Sequence, residues 1–377
     1  MSATQIRLDE QLRDGANEEG NAQDNNSTNE RSACLFMTPG FHLRPPPQPN
    51  DLDTFLTPES HLFQTIHMGK PTVSSQLYRL KIHGLVSNPY ILTLSELKSS
   101  FPHTTITSFH ECYGSPLQPP TKNLWRVGNV TWTGVRLREL LSRAGVVPSS
   151  QAEVDDDEGK YVWTDGLDSG KFAGFEADRY RKDLPLWKAW RDEVLVAWEM
   201  SGEALGWERG GPVRLVVPGW FGTNSTKWLC GIEVRDSRST GLFTTRFYNE
   251  VGLNEDGVER IRPVWEVGVN SLIVRPREGE VLNDAEEGRE VEVSGWAWSG
   301  PGVKRVEVSV DDGQSWLDAD VVDRAEHEWQ RFRKTLVLNA GSYCIVARAV
   351  SKNGDVQPLE GRRNHVHRVH IQVTDRR

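Results

Sequence analysis

Residues 107–114, TSFHECYG, place a cysteine and a glycine directly after a run of β-branched and aromatic residues. Such residues favour a strand, predicted here over 104–109 (TTITSF), because they pack well on a pleated surface. Cys112 follows where this strand ends, and ligand and catalytic residues often occupy loops held by a rigid scaffold. Its thiolate could act as a nucleophile or bind a soft metal, whereas an inert buried cysteine is the structural alternative. The cysteine alone leaves these alternatives open.

The chain around this stretch, residues 51–260, mixes strand patterns with short helical ones. Alternating or β-branched runs predict strands at 76–86 (QLYRLKIHGLV) and 213–217 (VRLVV). Residues 92–98 are predicted to form a short helix that begins at Thr93 or Ser95, because either hydroxyl can accept a hydrogen bond from the first turn.

The run 132–144, WTGVRLRELLSRA, has its apolar residues on one side of a helical wheel. It is predicted to be a helix capped by Thr133 and ended by Gly145, because glycine readily takes the left-handed conformation that follows many helices. Strands and helices therefore alternate irregularly. This favours an α+β fold over a doubly wound sheet.

Beyond about residue 265 the pattern changes to short alternating runs. These runs predict strands at 291–298 (VEVSGWAW), 303–310 (VKRVEVSV), 336–338 (LVL), 343–350 (YCIVARAV) and 366–373 (VHRVHIQV). Turn signals separate them, notably DDG at 311–313 and NG at 353–354. The spacing predicts an all-β sandwich of immunoglobulin-like type over 261–377.

The first 50 residues differ from the rest in composition. Residues 1–33 are rich in Asn, Glu, Asp, Gln and Ser and are expected to be disordered. The sequence RPPPQP at 44–49 is typical of an extended connector. A second polar run, EVDDDE at 153–158, is interpreted as a solvated loop.

Charge and cysteine content exclude several classes of function. The net charge of −9 argues against a nucleic-acid footprint, since phosphate backbones are bound by clustered Lys and Arg. The four cysteines are widely scattered, which is typical neither of a disulfide framework nor of a zinc site. The sequence contains no apolar run of signal-peptide or membrane-span type, so we expect a soluble protein of the cytoplasm or the mitochondrial intermembrane space.

Several cations and one histidine flank the predicted strands and turns. His67, Arg209, Arg214 and Lys227 are spaced so that they could converge on an anion such as a cofactor phosphate. Taken one at a time, each is more often a surface residue. The grouping is therefore a hypothesis about a small anionic ligand.

Motifs that occur in one order along the chain resemble those of the sulfite oxidase-type molybdopterin oxidoreductases. The matching runs are 112–114 (CYG), 130–141 (VTWTGVRLRELL), 166–169 (GLDS), 198–202 (WEMSG), 211–219 (GPVRLVVPG), 226–229 (TKWL), 294–300 (SGWAWSG) and 306–316 (VEVSVDDGQSW). The resemblance covers roughly residues 55–375 and is carried by the order of the motifs rather than by any one of them.

The resemblance implies a molybdenum–molybdopterin cofactor with Cys112 as the protein ligand to the metal. Positions that match cofactor-binding ones are Phe63, Gln64, Thr65, Ile66, His67, Asp168, Arg209, Arg214, Ser225, Thr226 and Lys227. Tyr180 and Arg331 match catalytic positions. The implied reaction is a two-electron oxygen-atom transfer that converts sulfite to sulfate. Implied partners are a separate electron acceptor and a second copy of the chain, which pairs through the C-terminal sandwich.

The sequence departs from the family at the substrate pocket. Thr65 and Leu117 stand where the family has arginines, and the loss of two cations weakens the attraction for a dianion. Lys122 or Arg126 could compensate. Two alternatives to sulfite oxidation therefore stay open: the same cofactor acting on a less anionic oxide, or a non-catalytic binding protein that kept the scaffold.

Overall fold

A computed structural model gives the structure of the chain and describes residues 33–114, 125–147, 159–253, 257–283, 288–361 and 363–374. Leu117, Lys122 and the acidic run 153–158 lie outside the described residues. None of the helices in the described ranges has the length and apolar character needed to cross a membrane.

The N-terminal part of the chain, residues 33–263, combines many strands with a few short helices. Its strands are β1 (Cys34–Pro39), β2 (His42–Arg44), β3 (Gln64–Ile66), β4 (Gly69–Val73), β5 (Arg79–Gly84), β6 (Tyr90–Thr93), β7 (Thr104–Glu111), β8 (Val127–Arg136), β9 (Tyr161–Gly166), β10 (Gly170–Phe172), β11 (Phe175–Ala177), β12 (Arg181–Pro185), β13 (Leu195–Met200), β14 (Glu203–Ala204), β15 (Arg214–Val216), β16 (Leu229–Arg235), β17 (Asn249–Leu253) and β18 (Glu259–Pro263). Its helices are α1 (Leu94–Ser99), α2 (Leu137–Arg143), α3 (Leu186–Ala189) and α4 (Leu242–Thr245).

Two sheets form the centre of this part. One has the order β12-β9-β16-β5-β6, and the other has the order β14-β13-β8-β7 with β15 also paired to β13. Only the β16–β5 contact within these sheets is parallel among the described strands. Apolar side chains of both sheets and of α2, such as Ile82, Leu140 and Val196, share one buried core. The predicted α+β class is confirmed.

Helix α1 shows how a local signal fixes an element boundary. Thr93 Oγ1 accepts a hydrogen bond from Glu96 N at 3.1 Å, and Glu96 Oε2 accepts one from Thr93 N at 2.8 Å. This reciprocal capping box satisfies donors that the first helical turn leaves free. Of the two predicted start positions, Thr93 is therefore the cap.

The predicted helix over 132–144 is wrong in its first half. Strand β8 runs to Arg136, and α2 begins only at Leu137. Thr133, the predicted cap, instead contacts Thr105 across the strands, with 2.8 Å between the two hydroxyl oxygens. Pairing of β8 with both β7 and β13 overrides the helical pattern, because it satisfies a full ladder of backbone groups. Gly145 follows the helix with φ of 77°, as predicted.

Residues 34–44 also differ from the expected tail and connector. They form β1 and β2, which pair with β4 and β3 respectively. These pairings satisfy backbone groups that would otherwise lie at open strand edges. They also hold the segment 64–67, which contributes to the candidate site described below.

The C-terminal part is all-β, as predicted. Its strands are β19 (Asn270–Arg275), β20 (Glu280–Asn283), β21 (Arg289–Trp298), β22 (Val303–Ser309), β23 (Leu317–Val321), β24 (Gln330–Leu338), β25 (Gly341–Ser351) and β26 (His367–Thr374). They are ordered β19-β21-β24-β23-β22-β25-β26-β20 around a core of valine, isoleucine and alanine side chains.

Tryptophans join the two parts of the chain behind the cysteine loop. Trp125 packs edge-on against Trp298, with 6.1 Å between ring centroids. Trp298 Nε1 donates to Glu111 Oε2 at 2.7 Å. Glu111 is the last residue of β7 and is almost fully buried. The C-terminal part therefore holds the end of the strand that leads into Cys112.

Candidate functional site

The thiol of Cys112 opens into a cavity. The residue follows β7, and its backbone N donates to Arg126 O at 2.9 Å, which fixes the start of the loop. Its Sγ accepts a hydrogen bond from Gly114 N at 3.4 Å and lies 3.7 Å from Thr65 Oγ1. The sulfur is thus oriented by its own loop and by β3, while its residue keeps part of its surface exposed.

Two adjoining cavities meet beside this sulfur. The larger has a volume of about 50 Å³ and is lined by Leu62, Phe63, Gln64, Thr65, His67, His110, Cys112, Tyr113, Trp132, Arg209, Arg214, Gly222, Thr223, Lys227 and Tyr248. The smaller has a volume of about 40 Å³ and is lined by Thr65, Ile66, His67, Asp168, Tyr180, Gly222, Ser225, Lys227 and Trp228. Because four residues line both, the cavities form one elongated space.

Two cations face this space without a carboxylate partner among the described residues. Arg214 is buried and donates to the carbonyl oxygens of Arg209 and Ser225 at 3.1 and 3.3 Å. Lys227 Nζ donates to Thr65 O at 3.3 Å. Burial, and then repulsion by Arg209, lowers the pKa of Arg214 to about 9. Desolvation and both arginines lower the pKa of Lys227 well below its usual value. Cations held in this way stay charged more readily once an anion binds.

Backbone shape contributes to this cluster. Gly210 has φ of 90°, and a Cβ there would lie 2.6 Å from Lys227 Cβ. A side chain at this position would both strain the backbone and displace the lysine. Gly210 therefore allows Lys227 to lie beside the turn that carries Arg209.

Arg209 has a different role from the other two cations. Its Nε donates to Glu59 Oε1 at 2.8 Å, and its Nη1 donates to Phe63 O at 2.6 Å. Nη2 donates to Leu62 O at 2.9 Å. Most of its hydrogen-bonding capacity is therefore used to hold the segment 59–63 at the edge of the cavity.

Acceptors without partners complete the site. Asp168 Oδ1 and Gln64 Oε1 are buried and have no hydrogen-bond partner among the described residues. Burial raises the pKa of Asp168 to about 7. Buried acceptors are normally paired, so these two oxygens suit a ligand that carries N–H donors.

His67 and two tyrosines form a hydrogen-bonded group between the cavities. His67 Nε2 contacts the Tyr248 hydroxyl. Tyr180 OH donates to Thr223 O at 2.6 Å and lies 2.9 Å from Thr223 Oγ1. Desolvation, followed by Lys227 and Lys182, lowers the pKa of His67 to about 3. The imidazole is therefore neutral at physiological pH.

Most residues predicted for the site line the two cavities. The exceptions are Thr226 and Arg331. Thr226 lies behind the wall, where its Oγ1 is 2.7 Å from Thr164 Oγ1. Arg331 lines neither cavity, and its guanidinium instead lies 5.4 Å from the centre of the Trp296 ring. Trp296 in turn stacks on Trp329 at 4.7 Å, so this strand directs Arg331 into the tryptophan cluster.

Sequence reasoning missed two residues that line the larger cavity, His110 and Tyr248, and one cation next to it, Arg363. His110 lies within the quoted motif and stacks on Phe63 with 5.9 Å between ring centroids. Tyr248 lies beyond the matched motifs of the N-terminal part. Arg363, from the C-terminal part, lies 3.7 Å above the Tyr113 ring, beside Cys112. Arg363 and Tyr248 meet the site through long-range contacts, which no local spacing reveals.

Comparisons with known proteins agree with this geometry. Residues 67–243 match the family described as oxidoreductase molybdopterin binding domain, and residues 261–373 match the Mo-co oxidoreductase dimerisation domain. Sulfite oxidase of Gallus gallus is 32 % identical over 336 residues, which are 83 % of this chain and 70 % of that protein. Mitochondrial sulfite oxidase of Homo sapiens is 32 % identical over 368 residues, and the chain spans only 64 % of its length.

A solved structure extends the likeness to the fold. The sulfane dehydrogenase SoxCD from Paracoccus pantotrophus matches with a TM-score of 0.70 and 30 % identity, over 86 % of this chain and 83 % of that one. The site fits the cofactor of this family, because Cys112 offers a soft thiolate ligand and Arg214 and Lys227 offer charge for a phosphate. The chain belongs to the sulfite oxidase-type molybdopterin oxidoreductases, and its cofactor is molybdenum held by molybdopterin.

Proposed function

We propose that this enzyme oxidises sulfite to sulfate and passes two electrons to a separate acceptor. In the balanced reaction, sulfite and water give sulfate, two protons and two electrons. The observation that carries the proposal is the opening of the Cys112 thiol into the same space as the cations Arg214 and Lys227. When bound, the molybdenum cofactor supplies the two-electron redox chemistry.

The chain's own residues hold and orient the reactants. We propose that Cys112 ligates the metal as a thiolate and that Arg214 and Lys227 bind the cofactor phosphate. Asp168 Oδ1 and Gln64 Oε1 accept hydrogen bonds from the cofactor's N–H groups, which satisfies both oxygens. These residues would hold the cofactor beside the Cys112 sulfur.

We propose that aromatic side chains next to Cys112 limit the access of water to the sulfur. Tyr113 packs edge-on against Phe221 and Tyr248, with ring centroids 5.3 and 5.8 Å apart. Arg363 lies over the Tyr113 ring, 3.7 Å from its centre. We propose that Arg363 supplies the positive charge that attracts the substrate anion, because electrostatic attraction is strong where water is excluded.

The test compares two cysteine variants of the full chain, purified from a host that makes the cofactor. Cys112→Ala is expected to abolish sulfite oxidation with an artificial acceptor and to remove the thiolate-to-molybdenum absorption. Cys344→Ala, in the C-terminal part, is the control and is expected to keep both. Turnover that survives in Cys112→Ala would refute the assignment, and wild-type protein with no molybdenum and no turnover would favour a non-catalytic binding protein.

A second candidate substrate is a less anionic oxide. The observation that favours it is Thr65, whose neutral hydroxyl lies 3.7 Å from the Cys112 sulfur where the family places a cation. Thr65→Arg is expected to lower the KM for sulfite by about 10-fold or more, because a hydrogen bond to a charged group contributes about 1.5–3 kcal/mol. A wild-type protein with full metal occupancy that fails to turn over sulfite would favour the neutral substrate instead.

We also propose a division of the chain near residue 260 and a homodimer through residues 261–373. The match of this range to a dimerisation domain supports both. Light scattering at micromolar concentration is expected to give the mass of two chains. A monomer mass would overturn the dimer.

A further inference from the structure

We propose that Tyr248 is a positioning residue of the cofactor site, whose hydroxyl fixes the tautomer and the ring orientation of His67. The proposal rests on the proposed function, in which the residues around Cys112 hold the cofactor. His67 lines both cavities, so the plane of its ring sets the shape of the space between them.

The backbone of Tyr248 is the first observation. Its φ is 62°, in the left-handed region that bulky side chains rarely adopt. Strained residues of this kind persist only where their surroundings hold them, and they are concentrated at active sites and ligand clamps. Here Val264 N donates to Tyr248 O at 2.9 Å, immediately before β17 begins. The strained conformation points the phenol into the cavity.

The packing around the ring is the second observation. The Tyr248 ring meets His67 edge-on at 5.7 Å and Tyr113 edge-on at 5.8 Å. Phe243 lies nearly parallel to it at 6.3 Å. Lys182 Nζ lies 5.6 Å from the ring centre. Contacts on several sides leave the phenol little rotational freedom, so its hydroxyl is a fixed reference point.

The hydrogen bonds around His67 are the third observation, and we infer their direction from the donors available. Tyr180 donates its only hydroxyl hydrogen to Thr223 O. In the arrangement that we propose, the Thr223 hydroxyl, which also influences the pKa of Tyr248, directs its hydrogen toward the Tyr248 oxygen. Tyr248 is left with its own hydrogen to donate to His67 Nε2. Each hydroxyl has a single hydrogen, and in the arrangement that we propose the donors run from Tyr180 to His67.

This direction determines the state of the imidazole. His67 is neutral, because desolvation and two nearby lysines oppose its protonation. When Nε2 of a neutral imidazole accepts a hydrogen bond, its hydrogen resides on Nδ1. His67 therefore presents an Nδ1–H donor in a fixed orientation. Tyr248 thus fixes the ring orientation and tautomer of His67, as hydrogen-bond partners outside the ligand shell do for metal-bound histidines.

The experiment measures cofactor release from holoenzyme by the fluorescence of the freed, oxidised pterin. Tyr248→Phe removes only the hydroxyl and is expected to speed release by about 10-fold or more, the usual effect of losing such an outer-shell partner. Tyr90→Phe is the matched control, since its hydroxyl donates to Leu140 O at 2.7 Å outside the cavities. Release from this control is expected to equal that of wild type.

A double-mutant cycle with His67→Gln separates positioning from a merely structural role. If Tyr248 acts through His67, the double variant releases the cofactor within about twofold of the faster single variant. The proposal would be overturned if the rate increases of the two single variants multiply in the double variant. It would also be overturned if Tyr248→Phe releases the cofactor at the wild-type rate. If Tyr248→Phe does not fold, Thr223→Val removes the donor to Tyr248 and is expected to speed release in the same direction.

Failure of this proposal can be distinguished from failure of the proposed function. The release assay requires bound cofactor but does not depend on sulfite turnover. Wild-type holoenzyme that does not oxidise sulfite would count against the substrate, while the ratio of release rates still decides on Tyr248.

Discussion

Replacing Lys227 by methionine should change the stability of the apoprotein and the affinity for the cofactor in opposite directions. In the apoprotein the ammonium group faces Arg214 and Arg209, and its pKa lies well below the usual value because of desolvation and these two charges. A lysine with a lowered folded-state pKa costs stability at every pH below its unfolded value of 10.5, and the cost grows as the pH falls. Lys227→Met keeps most of the side-chain volume and removes that cost.

The magnitudes follow from the surroundings of the ammonium group. Substitutions that relieve unfavourable interactions at functional sites commonly stabilise a protein by about 0.5–2 kcal/mol. At about 2–4 °C for each kcal/mol, the melting temperature of the apoprotein should rise by a few degrees. In the holoprotein the same change removes one of the two cations that we propose bind the cofactor phosphate and leaves Arg214 alone. Loss of one partner of an enclosed charge pair costs about 2–5 kcal/mol, so the cofactor affinity should fall by roughly 30-fold or more.

Two assays on the same preparations read out both effects. Thermal unfolding of cofactor-free protein gives the melting temperature, and elemental analysis with pterin fluorescence gives the bound cofactor. Lys188→Met is the matched control, because Lys188 is also buried but its Nζ lies 2.7 Å from Glu193 Oε1. Burial lowers the pKa of Lys188 as well, but its removal leaves the Glu193 carboxylate without its cation, so Lys188→Met should not raise the melting temperature and should leave the cofactor in place. A Lys227→Met apoprotein that melts below wild type would refute the reasoning.

Three further outcomes follow from the same geometry. Asp168 has a folded-state pKa of about 7 against 3.8 for an aspartate in water, so its contribution to apoprotein stability is full below pH 3.8 and is lost as the pH rises to about 7. Asp168→Asn should therefore flatten the plot of unfolding free energy against pH between these values, measured by urea titration, and an unchanged slope would contradict this. Trp298→Phe removes the donor to the buried Glu111 and should destabilise the protein by about 1–3 kcal/mol in chemical denaturation, whereas no loss would show that this bond does not join the two parts. Arg363→Gln should raise the KM for sulfite by about 10-fold with the molybdenum content unchanged, and Arg331→Gln should not; the reverse pattern would restore Arg331 to the site.

Local signals in the sequence predicted the elements that local chemistry determines. The alternating runs beyond residue 265 became strands, and Thr93 caps α1 through its reciprocal bonds with Glu96. The run beginning at Trp132 was misassigned, because its helical pattern competes with pairing to β7 and β13. Those partners lie far away in the sequence. Their contribution is a tertiary effect that a single-segment pattern does not contain.

The residues of the candidate site also separate into those that local motifs predict and those that only long-range contacts bring to the site. Cys112, Asp168 and Lys227 were found because each lies in a motif with its own sequence signature. Tyr248 was missed, since its importance arises from a contact with His67 across 181 positions of the chain. Arg363 was missed because it approaches Tyr113 only when the C-terminal part folds against the cysteine loop.

The two ends of the elongated space therefore depend on different parts of the chain. The cations that face the cofactor, Arg214 and Lys227, lie on or beside strands of the N-terminal part. At the substrate end, Thr65 contributes no charge, and the described cation that packs against Tyr113 is Arg363 of the C-terminal part. Because Arg363 belongs to the C-terminal part, which contacts the end of β7 through Trp298, we expect substrate affinity to depend on the contact between the two parts more strongly than cofactor retention does.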